Sequence, residues 1–257
     1  MKLNWNTKRK MLYAFVVSSF IISSVLYIYR DTFFPAPTCF DNKQNGYESG
    51  IDCGGVCDLR CKDEVTPLSV IWTRFILVGP NTYDLIAMVS NKNINNAPKE
   101  ISYTFFIYDK DGGNISFVDG KTIVPVDTDF PVIKQNIHIN KIPSALVLKV
   151  NAGPSYKVSE KPTSPTVTVS NISYEKGDTT RVYANISNTK FTRLLDLPVR
   201  VILYGNDNNI FAVGETVIPL LDKQETKTVT FTWNFPLSQT PKVIRVYPIF
   251  DPFIPSQ

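Results

Sequence analysis

Two stretches of this chain can be laid over one another, and that self-similarity restricts the fold more than any other feature. Phe105–Pro125 (FFIYDKDGGNISFVDGKTIVP) and Val201–Pro219 (VILYGNDNNIFAVGETVIP) align Tyr108 with Tyr204, Asp111 with Asp207, Gly120 with Gly214, Thr122 with Thr216 and Pro125 with Pro219. Upstream, Asp84–Asn91 (DLIAMVSN) matches Arg181–Asn188 (RVYANISN), and the offset stays between 94 and 97 residues throughout. A near-constant offset over several segments reads as a duplicated domain, not as shared strand composition. Each copy offers about seven short strands parted by turn signals, the pattern of two sheets packed face to face. In the first copy Leu85, Ala87 and Val89 alternate along one strand, and Ile101, Tyr103, Phe105 and Ile107 along another, with Asp109–Gly113 as the hairpin turn. In the second copy Val182, Ala184 and Ile186, then Val199, Val201 and Leu203, play the same parts, and Gly205–Asn209 forms the turn.

Composition agrees with strands: 18 prolines, 16 phenylalanines and 12 tyrosines accompany many Val, Ile and Thr. Past Tyr29 no long segment repeats apolar residues at helical spacing. The expected fold is all-β, two tandem immunoglobulin-like β-sandwiches over 67–153 and 166–251. A proline-rich linker (154–165) joins them, and a tail (252–257) follows.

Before these lies an apolar run, Met11–Tyr29, with no charge, proline or glycine, preceded by Lys8, Arg9 and Lys10. At ~1.5 Å per residue it spans roughly 28 Å, close to the hydrocarbon core of a bilayer. The basic residues on its N-terminal side place residues 1–10 in the cytoplasm and the bulk of the chain outside. A cleaved signal peptide is the rival, but the run is longer than a typical signal core and ends in Leu26, Tyr27, Ile28 and Tyr29 without small residues. Ser18, Ser19, Ser23 and Ser24 cluster on one side, where they can bond back to the helix backbone or meet another helix. Residues 1–30 hold five basic residues and no acidic one, so 22 basic and 23 acidic residues remain in the exported part. The basicity serves orientation, and no case for nucleic-acid binding is left.

A spacer (30–38) containing Pro35 and Pro37 leads to a cysteine-rich module, 39–61. Cys39, Cys53, Cys57 and Cys61 read as two disulfides in an exported segment too small for a core of its own, with all three pairings open. A zinc site is the competitor, and the spacing suits it poorly. Asp41, Asn45, Glu48 and Asp52 are spaced oxygen ligands of the kind calcium favours, though in no EF-hand register. The competing role for them is to make Asx-turns.

The module resembles a short cysteine motif recurrent in bacterial surface proteins, C-x-D-G-x-x-N-G-x-E-x-x-x-D-C-G-G-x-C-x-x-C. Asp41, Asn45, Gly46, Glu48, Asp52, Cys53, Gly54, Gly55, Cys57 and Cys61 match it; Asn42 replaces a glycine and the last spacing is one residue longer. Phe105, Phe106, Ile107, Tyr108 and Asp109 resemble the signature of the FxLYD family, with isoleucine for its leucine. The second copy keeps Leu203 and Tyr204, with Val201 and Gly205 at the outer positions, and Ser90-Asn91 and Ser187-Asn188 precede the two signatures. That resemblance implies small immunoglobulin-like domains of microbial envelopes, with no catalytic residues.

Signals for chemistry are sparse. His138 is the single histidine, on an alternating stretch where Ile137 and Ile139 point inward. No nucleophile elbow or phosphate loop occurs, and Asp109, Asp111, Asp127 and Asp129 stand in turn-like contexts. Trp72, Tyr156, Tyr174 and Trp233 could stack on sugars or anchor a protein, or else fill the core. Asn114, Asn171 and Asn185 each open an Asn-Ile-Ser sequon. These features point to a non-catalytic, single-pass envelope protein serving as a structural or interaction module. Its expected partners are the membrane and an unidentified envelope protein or polymer. The alternatives are a carbohydrate-binding adhesin and, less favoured, an envelope hydrolase.

Overall fold

The computed structural model describes residues 5–33, 36–158 and 166–253. Its helical part is N-terminal: α1 spans Trp5–Ile28 and a short α2 spans Arg30–Phe33. Helix α1 starts six residues before Met11 because Asn6 to Lys10 include no helix breaker, and the Arg9 guanidinium lies 4.7 Å over the Trp5 ring. The helix is long and apolar enough to cross a membrane, a test that an N-terminal signal sequence would also pass. Within it Ser18 Oγ donates to the Phe15 carbonyl at 3.0 Å, so one of the four serines is satisfied by its own helix.

After a single 3-10 turn at Lys62–Glu64, the described residues beyond the cysteine module form β-structure of the sandwich type. Among the described residues fourteen strands follow: β1 (Ser69–Gly79), β2 (Thr82–Asn91), β3 (Asn96–Pro98), β4 (Ile101–Tyr108), β5 (Asn114–Thr122), β6 (Thr128–His138), β7 (Ala145–Ala152), β8 (Ser155–Lys157), β9 (Val167–Glu175), β10 (Thr180–Asn188), β11 (Leu194–Tyr204), β12 (Ile210–Leu221), β13 (Thr226–Trp233) and β14 (Val243–Pro248). They pair antiparallel in the orders β1-β2-β6 and β5-β4-β7, then β9-β10-β13 and β12-β11-β14, with β3-β8 as a separate pair. The strand order of the first two sheets recurs in the second two.

Alternation builds the cores. Leu85, Ala87, Val89, Ile101, Phe105 and Ile107 are fully buried in the first, and Val182, Ala184, Ile186, Val199, Val201 and Leu203 in the second. Register shows where the copies correspond. Phe106 opposes Phe117, and Ile202 opposes Val213; Tyr103 opposes Gly120, and Val199 opposes Thr216. Gly120 therefore corresponds to Thr216, and Gly214 to Val118, two residues away from the sequence alignment. A slip of two keeps the same face of a strand, which is why the sequence alone did not betray it. Both glycines make room for a neighbour: a Cβ on Gly120 would meet the Tyr103 hydroxyl at 2.4 Å, and one on Gly214 would meet Val201 at 3.1 Å.

The hairpin turns are equivalent to the atom. Asp109 N–H donates to Gly113 O and Gly205 N–H to Asn209 O, both at 2.9 Å. Gly112 (φ 80°) and Asn208 (φ 59°) take the left-handed position. The Ser-Asn motifs also acquire a cause. Asn91 and Asn188 are buried at the ends of β2 and β10. Asn91 Nδ2 donates to Pro125 O and Asn188 Nδ2 to Asp222 O, each at 2.9 Å, and their Oδ1 atoms accept the N–H of Asn93 and of Lys190, each at 3.0 Å. Each amide ties the loop after its strand to the opposite sheet.

Three boundaries differ from the sequence expectation. The stretch expected as linker begins as β8, whose Ser155 Oγ bonds Asn96 Oδ1 at 2.9 Å and whose N–H and C=O groups also pair with Asp58 and Arg60; residues 159–165 lie outside the described set. The end of the cysteine segment is thus part of the first sandwich's edge, and Thr66 N–H bonds Asn93 Oδ1 at 2.8 Å. The C-terminal end also departs from expectation: Ile249, expected in the second sandwich, is buried in the first core, and Phe253 of the expected tail packs against that core.

Candidate functional site

The cysteine module comes first, because it carries the candidate metal ligands. All four cysteines are disulfide-bonded. Asp52 accepts the backbone N–H of Asp41 at 3.0 Å and of Asn42 at 2.9 Å. Asp41 accepts the Lys43 N–H at 3.0 Å and the Asn45 amide at 2.7 Å, while Glu48 accepts the Asn45 N–H at 3.3 Å. The structure thus brings Asp41, Asn45, Glu48 and Asp52 together: carboxylate oxygens of Asp41, Glu48 and Asp52 accept N–H groups of the loop, while Asn45 Oδ1 is buried without a hydrogen-bond partner. The Asn45 amide bond, foremost, holds the Asp41 carboxyl below its ordinary range. The chain can bend this sharply because Asn42, Gly46, Asp52, Gly54 and Gly55 all adopt positive φ. A Cβ on Gly55 would lie 1.8 Å from the Tyr47 carbonyl oxygen.

The second feature is the seam between the sandwiches. The outward residues Ile76, Ile86, Met88 and Ile133 of the β1-β2-β6 sheet form a third buried cluster with Ile202 and Val213 of β11 and β12. Trp72, Tyr204, Ile210 and Tyr247 pack around it, and burial pushes the Tyr204 hydroxyl up to about 12. Arg200 is only 5% exposed. Its guanidinium donates to Glu215 on β12, and across the seam to the Pro131 carbonyl and to Thr122 Oγ1 (3.2 Å). Gln135 reaches across in the other direction, donating to Val213 O at 3.2 Å. Behind it Asp84, 2% exposed, accepts the Asn136 N–H at 2.8 Å and so pins a bulge in β6, where Asn136 has φ 57°. Burial is the largest influence on Asp84 and raises its carboxyl above the ordinary range.

The third feature is the outer face of β5-β4-β7. Register places side chains in rows across the three strands: Phe117, Phe106 and Val147, then Asp119, Thr104 and Lys149, then Lys121, Ser102 and Asn151. Phe117 is 63% exposed and Val147 49%. A hollow of 460 Å³ opens on this face among Ser102, Thr104, Phe106, Lys149 and Asn151. Thr104 Oγ1 donates to Asp119 at 2.6 Å, and Lys121 pairs with Glu100 at 2.9 Å.

The sequence-predicted aromatics do not form a platform. Trp233 is core, its Nε1 donating to Val213 O at 3.2 Å, and Trp72 lies against the seam. Tyr174 is half-buried against the second core, and Tyr156 sits in β8 with the Lys99 ammonium 4.9 Å over its ring. His138 is exposed at the end of β6, as its alternating neighbours suggest. Asp109 caps its own hairpin, accepting the Gly113 N–H at 2.8 Å, and Asp129 accepts the Ser90 hydroxyl at 2.6 Å. Asp111 and Asp127 are exposed, as are Asn114 and Asn171, while Asn185 bonds Thr228.

Sequence reasoning missed the seam and the Phe106 face. The signal for the seam was present: Leu85 to Val89 and Val199 to Leu203 are apolar on both faces, Arg200 apart, as in strands covered on both sides.

No family model matches this chain, and no curated protein does. Among solved structures, the crystal structure of red sea bream transglutaminase aligns with 72% of this chain and 29% of its own, at 11% identity and a TM-score of 0.24. A likeness that small bears on neither fold nor activity.

Proposed function

We propose that this chain is a single-pass, exported envelope protein whose duplicated, FxLYD-like and immunoglobulin-like sandwiches form a rigid, non-catalytic interaction module. The observation that carries this reading is the seam. Arg200, Gln135 and the Ile86–Ile202 cluster hold the two sandwiches as one unit. A rigid tandem suits presenting a surface at a set distance, whereas flexibly linked domains would roam. The disulfides support an oxidising compartment, and helix α1 with its basic N-terminal flank supports an uncleaved anchor.

The test is topology in intact cells. A tag before Trp5 should stay inaccessible to an impermeant label, and one after Phe253 should react, with the full-length mass retained in the membrane fraction. A soluble, shortened chain, or an inaccessible C-terminus, would refute the anchor.

A further inference from the structure

We propose that the outer face of β5-β4-β7 is the contact surface of a two-fold symmetric homodimer. The inference deepens the interaction-module reading and takes from it only the shared anchor.

The face has an internal precedent. By register, Phe106 and Phe117 in the first sandwich stand where Ile202 and Val213 stand in the second, and Thr104 and Asp119 stand where Arg200 and Glu215 do. In the second sandwich those positions are covered by another sheet; in the first, larger side chains stand there, Phe117 63% exposed and Phe106 half-buried. An exposed apolar row rimmed by charges is the composition of an interaction site.

Two other sheets of this chain present outer faces, and neither suits it in a second copy. The outer face of β1-β2-β6 is already occupied by its own second sandwich. The outer face of β9-β10-β13 carries Tyr183, Asn185, Thr228, Thr230 and Thr232, which offer no apolar partner. The face fits itself. A two-fold axis parallel to β4 lays Phe106 on its symmetry mate and Val147 on Phe117 of the second copy. The same axis sets Lys149 opposite Asp119 of the second copy, and the contact occurs twice. The hollow beside Thr104 and Lys149 lies where the edge of the second copy's β5 arrives. Opposite charges meet and apolar groups are buried in one operation, and confinement to a membrane raises the effective concentration of copies.

The test uses the full-length chain in detergent micelles, with mass and dissociation followed by analytical ultracentrifugation. Wild type should dimerise. Lys149→Asp or Asp119→Lys alone should each weaken the dimer about tenfold or more, as close charge pairs do, and the double charge swap should restore it to within about threefold. Phe117→Glu should give a monomer with unchanged tryptophan fluorescence, since Phe117 touches neither core. A monomeric wild type, a dimer indifferent to these changes, or a double swap that fails to rescue would overturn the proposal. So would a monomer that uses this face to bind a polysaccharide or another protein. The tag-accessibility experiment reports on the anchor separately: an exported, membrane-held monomer defeats the dimer alone.

Discussion

Replacing Ile202 by alanine tests the seam most directly. Ile202 is fully buried, between Val213 on its own sheet and the cluster of Ile86, Met88 and Ile133 from the first sandwich. The change removes three carbons, worth ~0.8 kcal/mol each, or about 2.5 kcal/mol of lost transfer energy. A residual cavity between two stiff sheets adds about 1 kcal/mol, giving about 3 to 4 kcal/mol in all. The register-equivalent Phe106→Ala lies on an uncovered face and should cost only about 1 kcal/mol at concentrations where the chain is monomeric. Guanidinium unfolding of the purified protein, followed by tryptophan fluorescence, measures both; Trp72 lies at the seam and reports on it locally. If Ile202→Ala costs no more than Phe106→Ala, the seam is not a packed core and the sandwiches are not one unit.

Three other outcomes follow from particular contacts. Asn91→Ala and Asn188→Ala should each cost about 2 to 3 kcal/mol, because each strands buried carbonyl and N–H groups; the shift of the denaturant midpoint measures it. For Asp84 the folded-state pKa is raised, so ionisation opposes folding: its contribution is most favourable below the ordinary value of 3.8 and declines as pH rises above it. Asp84→Asn keeps the acceptor for Asn136 and removes the charge, so its stability relative to wild type should improve between pH 3 and pH 7, and a flat difference would contradict the burial argument. Gly55→Ala should expose thiols to an alkylating reagent during oxidative folding, since its Cβ cannot share space with the Tyr47 carbonyl. A fully oxidised, unlabelled variant would refute that steric account.

How far the structure was legible depends on which periodicity is asked about. The inward faces were readable: Leu85, Ala87 and Val89, or Val199, Val201 and Leu203, fall at every second position, as the core-facing side of a strand must. The paired hairpins and the Ser-Asn motifs were visible as repeats, although their role in tying loops to the opposite sheet needed coordinates. The linker and tail were misjudged because proline and polar composition mark a boundary in sequence without saying what the backbone then pairs with; Ser155 to Lys157 still find β3. For Asp41, Asn45, Glu48 and Asp52 the spacing alone could not say that loop N–H groups bond the three carboxylates while Asn45 Oδ1 is left without a partner.

What the sequence determined by itself is local: an apolar helix, an oxidised cysteine loop, and two runs of strands whose inner faces follow a period of two. Even the difference between the copies is written there. The segment DLIAMVSN is apolar on both faces, whereas its counterpart RVYANISN alternates, and the structure covers the first on both sides while leaving the second open. Only the tertiary structure decided which face covers which. Hydrophobic burial is non-directional and names no partner; the choice was made where Arg200 meets Pro131 and Thr122, and Gln135 meets Val213, since buried polar groups must find their hydrogen bonds in one geometry.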